Sequence, residues 1–308
     1  TGNAVSSSKT FILSTTSGAY SVSGNAASLQ ANRTISTVSG SYSVTGSDAN
    51  LYRQRSITVT AGSYSVTGNN VFLSFSYVMS ASSGSYAVTG QDAGLKVSKR
   101  LAVSTGSYTV TGNTVGLLYA KKIVASAGSY ATTGQNVGLL FIRAVIASTG
   151  SYSISGNATG IRVSRVIVGA FGTYAVSGNA VSLTISRKVT AVSGSYAITG
   201  YPCGFVSGRV IRTGMGIYEI SGRATGLKIA RKITCASGSY AVTGNTASIN
   251  RQYQVIASTG VFLVTGNATG LIASRKISIA TGSYVVSGQA ALLAFNHAIS
   301  ADHGAYSL

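Results

Sequence analysis

Acidic residues are nearly missing from this sequence. Its 308 residues include four aspartates and glutamates, two histidines, two cysteines, one proline and no tryptophan. So few carboxylates and imidazoles leave little material for acid–base catalysis or a metal site, and two cysteines imply no disulfide framework. Gly, Ser or a basic residue breaks every apolar run well before the roughly 20 residues that a transmembrane helix needs. These absences argue against an enzyme, a bound cofactor and a membrane span.

Positive charge, glycine and apolar residues are abundant instead. The chain has 23 Lys+Arg and a net charge of +19, it has 38 glycines, and 45% of its residues are apolar. Because many of the apolar residues are β-branched, the chain can bury a core, and this composition argues against disorder.

A strict internal repeat organises the whole chain. The tripeptide Gly-x-Tyr/Phe begins at Gly18 and recurs every 22 residues up to Gly304, and a second series of glycines with the same period runs from Gly2 to Gly288, six residues after the first. The length equals 14 × 22 residues, without insertion or deletion. A period this strict is typical of stacked units that must stay in register. We predict one tandem-repeat array over residues 1–308. Because neither end carries a polar capping unit, we expect it to be a segment of a longer chain or polymer.

Alternation within each repeat predicts strands. Counting Gly18 as position 1, aromatic and aliphatic residues occupy positions 3 and 5 and again positions 10, 12 and 14, and Gly-Asn separates the two runs. A period of two indicates β-strands, and Gly-Asn indicates a turn. We expect each repeated glycine to hold a backbone conformation that a Cβ would obstruct. The prediction is an all-β fold, a β-solenoid of about 14 coils of 22 residues with parallel, in-register strands on three sheets. The alternative is a series of antiparallel hairpins.

A basic column at position 16 is the strongest candidate site. A straight strand would bury these cations without partners, so we predict that the chain bends near positions 15–17 and turns them outward. A row of stacked cations suits a linear polyanion such as an acidic polysaccharide or nucleic acid. The other interpretation is that the charges keep the protein soluble. The column consists of Arg33, Arg55, Lys99, Lys121, Arg143, Arg165, Arg187, Arg209, Arg231 and Arg275.

Two resemblances bear on function. The unit Gly-Ser-Tyr-x-Val-Thr-Gly-Asn/Gln, seen at Gly106–Asn113, resembles tandem repeats of bacterial and bacteriophage structural proteins. The Gly-Asn-Ala turn at Gly24–Ala26 is similar to turns in curli-type functional amyloid subunits, whose repeats follow a strand–turn–strand plan. Both resemblances imply an extracellular or virion-associated fibre.

These observations predict a non-enzymatic structural protein that needs no cofactor. We expect it to form an extracellular filament or virion-associated fibre by end-to-end stacking with copies of itself. The alternative is an adhesin or receptor-binding fibre segment that grips an anionic glycan or nucleic acid through the basic column. Either function places the protein outside the cell or on a virion surface.

Overall fold

The fold is that of a computed structural model, which describes residues 2–9, 13–31, 34–53, 56–75, 78–97, 100–119, 122–141, 143–163, 165–185, 187–207, 210–229, 232–251, 254–273, 276–295, 298–301 and 305–307. The chain forms two compact units. The first comprises Thr1–Ile146 and Gly150–Asn157, and the second comprises Ala147–Thr149 and Ala158–Leu308. Each unit is built from three kinds of strand that follow one another in every repeat.

Strands of the first kind carry the repeated tyrosine, and we call them the tyrosine strands. In the first unit they are Ser41–Thr45, Ser63–Thr67, Ser85–Thr89, Ser107–Thr111, Ser129–Thr133 and Ser151–Ser155. In the second unit they are Thr173–Gly178, Ser195–Gly200, Ile217–Ser221, Ser239–Thr243, Val261–Thr265, Ser283–Ser287 and Ala305–Ser307.

Strands of the second kind, the leucine strands, span repeat positions 9–14. In the first unit they are Gly2–Lys9, Asp48–Arg53, Asn70–Phe75, Asp92–Val97, Thr114–Tyr119 and Asn136–Phe141. In the second unit they are Ala158–Val163, Ala180–Ile185, Cys203–Ser207, Ala224–Ile229, Thr246–Arg251, Ala268–Ala273 and Ala290–Phe295. Ala19–Ala31 is a tyrosine strand and a leucine strand in one.

Strands of the third kind, the short strands, follow the bend near positions 15–17, which we call the basic corner. In the first unit they are Leu13–Thr15, Thr34–Thr37, Ser56–Val59, Val78–Ala81, Arg100–Val103, Lys122–Ala125 and Ala144–Ala147, whose last residue belongs to the second unit. In the second unit they are Val166–Gly169, Lys188–Ala191, Val210–Thr213, Lys232–Cys235, Gln254–Ala257, Lys276–Ile279 and Ala298–Ala301.

Within each unit every strand pairs with the strand of the same kind one repeat away. The pairing is parallel and keeps the 22-residue register, so that Tyr86 lies opposite Tyr108 in the first unit and Tyr196 opposite Tyr218 in the second. The predicted β-solenoid is therefore confirmed. The antiparallel hairpins of the alternative do not occur among the described strands.

The three predicted sheets are present. The tyrosine strands, the leucine strands and the short strands each form a sheet in both units, and the tyrosine and leucine sheets are joined in the first unit through the continuous strand Ala19–Ala31. The Gly-Asn turn bends the chain without ending the ladder between neighbouring coils. There the Gly46 N–H donates to the Thr67 carbonyl oxygen at 3.1 Å, and the Asn70 N–H donates to the Ser47 carbonyl oxygen at 2.9 Å. Backbone pairing therefore continues around this corner of the coil.

Stacked tyrosine rings form the centre of each unit. In the first unit, consecutive rings from Tyr20 to Tyr152 have centroids 4.6 to 5.1 Å apart and nearly parallel planes. In the second unit, the rings from Tyr174 to Tyr284, with Phe262 as one member, are 4.7 to 4.9 Å apart. Each stacked pair adds about 0.5–1.5 kcal/mol to the gain from burial alone. The inward aliphatic residues complete the core beside these rings.

The glycines at positions 1 and 7 are required by the distance between coils. A Cβ at Gly106 would lie far inside van der Waals contact of the Gly84 carbonyl oxygen, and a Cβ at Gly90 would lie 2.8 Å from the Gly68 carbonyl oxygen. No described glycine has a positive φ. The expected obstruction is therefore present, but the neighbouring backbone causes it, and the conformation of the glycine itself does not.

Candidate polyanion-binding surface

The structure describes three of the ten residues of the predicted basic column. Arg143 of the first unit and Arg165 and Arg187 of the second are exposed, and each lies between the end of a leucine strand and the start of a short strand. This corner separates the leucine strands from the short strands, which lie in different sheets, and this agrees with the bend expected near positions 15–17. The other seven lie outside the described residues: Arg33, Arg55, Lys99, Lys121, Arg209, Arg231 and Arg275.

A second set of cations begins the short strands at position 17. Arg100 and Lys276 are exposed, whereas Lys122, Lys188 and Lys232 are half-buried. The partial burial of the three lysines is consistent with aliphatic stems that lie on the protein surface while the ammonium groups reach water. The corner therefore presents positive charge from two adjacent positions of the repeat.

A third set of cations was not among the sites predicted from the sequence. Lys96 of the first unit and Arg162 and Lys228 of the second lie at position 13 of the leucine strands, and all three are exposed. The alternating pattern of the strand could have revealed these cations, because position 13 lies between the inward positions 12 and 14 and must therefore point outward. Within the second unit, Arg162 and Lys228 are three coils apart.

Negative charge is scarce around these cations. The one described carboxylate of the second unit is Glu219, on the tyrosine strand Ile217–Ser221 and therefore away from the basic corner. In the first unit Asp48 accepts a hydrogen bond from the Asn70 amide nitrogen at 2.8 Å. Neighbouring cations on adjacent coils repel one another, and this repulsion weakens as salt is added. An anionic ligand would relieve the same repulsion.

The outer face of the leucine strands in the second unit holds two adjoining hollows. The larger has a volume of about 660 Å³ and lies between repeat positions 9 and 11, where Ala158, Pro202 and Ala224 form part of its lining. The smaller, of about 400 Å³, lies between positions 11 and 13 and reaches Lys228 and Asn250. Both hollows share Gly204, Gly226 and Ser248. We call this combined depression the trough.

The outer face of the tyrosine strands differs between the two units. In the first unit, from Ser41–Thr45 to Ser151–Ser155, its three outward positions carry only Ser, Thr or Ala. Hydroxyl groups lie close together here, with the Ser65 and Thr67 side-chain oxygens 3.4 Å apart. In the second unit the same positions include Ile217, Glu219 and Leu263. No cation interrupts this face in the described strands of either unit.

Cysteine thiols and potential metal ligands are few among the described residues. Cys203 and Cys235 are buried, and burial raises the pKa of the Cys203 thiol to about 11. This thiol therefore stays protonated and inert near neutral pH. Among the described residues, no group of three His, Cys, Asp or Glu side chains could hold a metal ion. His297 and His303 lie outside the described residues.

Comparison with known proteins gives no match. No family model, no curated protein and no solved structure matches this chain. The described residues also contain no helix long and apolar enough to cross a membrane.

Proposed function

We propose that this protein is a non-enzymatic structural protein that builds an extracellular filament or virion-associated fibre by stacking β-solenoid coils. The observation that carries the proposal is the equivalence of its coils. Ser85–Thr89 pairs with Ser63–Thr67 on one side and with Ser107–Thr111 on the other, through the same repeat positions in the same register.

Equivalent coils make pairing between molecules chemically the same as pairing within one. A coil offers its neighbour a backbone ladder, an aromatic ring for stacking and two glycine positions that allow close approach. A coil of a second copy carries the same groups at the same spacing. Exposed strand edges with such complementarity readily add further strands. The surface cations then limit association between the sides of filaments and leave stacking as the favoured contact.

Assembly can be tested at the leucine strand Gly2–Lys9, which pairs on one side with Ala19–Ala31. At repeat position 9 the N–H donates to the preceding coil, as the Asn70 N–H does to the Ser47 carbonyl oxygen. The variant Ala4→Pro at this position removes a donor that would pair with a preceding copy and should slow filament growth, whereas the matched control Ala4→Val should assemble like the wild type. Sedimentation and negative-stain microscopy over a concentration series would measure growth. A wild-type protein that stays monomeric at every concentration would refute the proposal.

A further inference from the structure

We propose that the trough of the second unit binds a linear anionic polysaccharide, which lies along the direction in which the coils stack. This binding activity goes beyond the structural role and does not depend on it.

The floor of the trough is formed by glycines that close packing does not require. A Cβ added to Gly204 or Gly270 would meet no atom within 4 Å, and one added to Gly226 would lie 3.9 Å from the Ser248 Oγ. By contrast, a Cβ at Gly216 would collide with the Gly194 carbonyl oxygen. Larger residues also occur at the floor position, since Leu292 occupies it with 64% of its surface exposed. The fold therefore tolerates side chains here, and their absence leaves open space outside the sheet.

The lining of this space suits a sugar chain. Ala180, Pro202 and Ala224 supply apolar surface to the larger hollow, and Ser182 and Thr246 supply hydroxyl groups. Apolar patches can contact the C–H faces of sugar rings while hydroxyl groups exchange hydrogen bonds with ring substituents. Clefts with mainly apolar walls and a few polar groups are the usual form of ligand sites.

The charge beside the trough determines the sign of the ligand. Lys228 lines the smaller hollow, and Arg162 lies at the same repeat position three coils away, about 14 Å along the stack. Arg165 and Arg187 are exposed at the corner that follows. Cations therefore recur along one side of the trough. A ligand whose charges are spread along its length, such as a polyuronate, complements this arrangement.

The lining favours a polysaccharide over a nucleic acid. Single-stranded nucleic acids bind where aromatic side chains offer platforms for the bases. Among the residues that line the two hollows, the aromatic one is Phe205, and its side chain is buried in the core. A channel that combines cations and hydroxyl groups without a stacking platform suits a carboxylate-bearing sugar chain better.

The test fills the trough while leaving the charge unchanged. In the double variant Gly204→Leu/Gly226→Leu, affinity for alginate measured by titration calorimetry should fall at least about tenfold. Its thermal midpoint should not fall, because the added side chains meet open space and replace glycine in strands. Unchanged affinity in this variant, with the fold intact, would overturn the proposal.

A set of charge-removing variants identifies the cations that bind the polymer. Arg162→Gln/Lys228→Gln should weaken alginate binding about tenfold and reduce its salt dependence. The control Arg212→Gln removes an exposed cation on the short strand Val210–Thr213, away from the trough, and should change affinity by less than about twofold. Equal losses in the two variants would show that net charge alone attracts the polymer and would contradict a defined site.

Two further ligands test the ligand class. Dextran, a neutral glucan, should not bind, and an oligo-dT strand should bind more weakly than alginate and without sensitivity to the filled floor. Tighter binding of oligo-dT that is lost in Gly204→Leu/Gly226→Leu would assign the trough to nucleic acid and overturn the polysaccharide. Equal binding of dextran would overturn the requirement for negative charge.

Discussion

Replacing glycine by alanine at two positions of one coil should have opposite effects on stability. Gly106 occupies position 1 and Gly116 position 11, so the two variants share the substitution, the coil and the unit. A Cβ at Gly106 would overlap the Gly84 carbonyl oxygen, and the Gly84 carbonyl carbon and the Ser82 oxygen, both 3.1 Å away, block a sideways escape. A Cβ at Gly116 would meet nothing within 4 Å.

The expected change in the free energy of unfolding follows from the contacts that the clash disrupts. Moving the coils apart at Gly106 breaks the hydrogen bond from its N–H to the Ser82 oxygen and the bond from the Ser107 N–H to the Gly84 oxygen. Two backbone hydrogen bonds are worth about 1 kcal/mol each, and overpacking adds about 1–3 kcal/mol. Gly106→Ala should therefore lower the free energy of unfolding by about 3–5 kcal/mol. Gly116→Ala should raise it by about 0.5–1 kcal/mol, because the unfolded chain loses freedom without strain in the fold.

Hydrogen exchange of peptides that cover residues 100–119 is the appropriate assay, because repeat arrays unfold locally and depart from two-state behaviour. Faster exchange in Gly106→Ala and equal or slower exchange in Gly116→Ala are expected. Similar exchange in the two variants would refute the argument that the distance between coils selects these glycines.

Three further predictions concern the core. Tyr196→Phe should change the local free energy of unfolding by less than about 1 kcal/mol in hydrogen exchange, because Phe262 fills the equivalent place and the Tyr196 hydroxyl has no hydrogen-bond partner among the described residues. Thr132→Val should stabilise the protein by about 1 kcal/mol in the same assay, since its buried Oγ1 has no described hydrogen-bond partner and aliphatic residues occupy this position elsewhere; a loss of stability would contradict this. Burial, followed by neighbouring tyrosines, raises the pKa of Tyr196 and Tyr218 well above 10.0, and burial raises that of Cys203 to about 11. Because the folded-state pKa values of these groups exceed the unfolded ones, the stability that their protonated forms contribute is complete below about pH 9 and is lost as the pH rises. The loss is about 1.4 kcal/mol per pH unit for each tyrosine above about pH 10. Absorbance at alkaline pH should show that these tyrosines ionise only on unfolding.

The strands and their register could be predicted because the repeat has one fixed period. With 22 residues between equivalent positions, Tyr108 can only lie opposite Tyr86 if like pairs with like, and the alternation around each tyrosine shows which side chains face inward. The basic corner followed from the cost of burying unpaired cations. Arg143 and Arg165 are exposed where that argument placed them.

The trough could not be predicted from the sequence, because the glycines at positions 1, 7 and 11 look alike there. The difference between Gly112 and Gly116 lies in what faces each residue: the Gly90 carbonyl oxygen of the preceding coil in the first case and open space in the second. The join between the tyrosine and leucine sheets at Ala19–Ala31 could not be predicted for a related reason. A Gly-Asn pair indicates a turn, but whether the ladder continues through that turn depends on hydrogen bonds between coils, such as the one from the Asn70 N–H to the Ser47 oxygen.

The central claim, that equivalent coils stack between molecules as they do within one, is tested most directly by electron cryo-microscopy of the concentrated protein. We predict continuous filaments with a layer spacing of about 4.8 Å, in which successive copies keep the parallel register of the coils. Separate particles of single-chain size at every concentration, without end-to-end contacts, would contradict the claim.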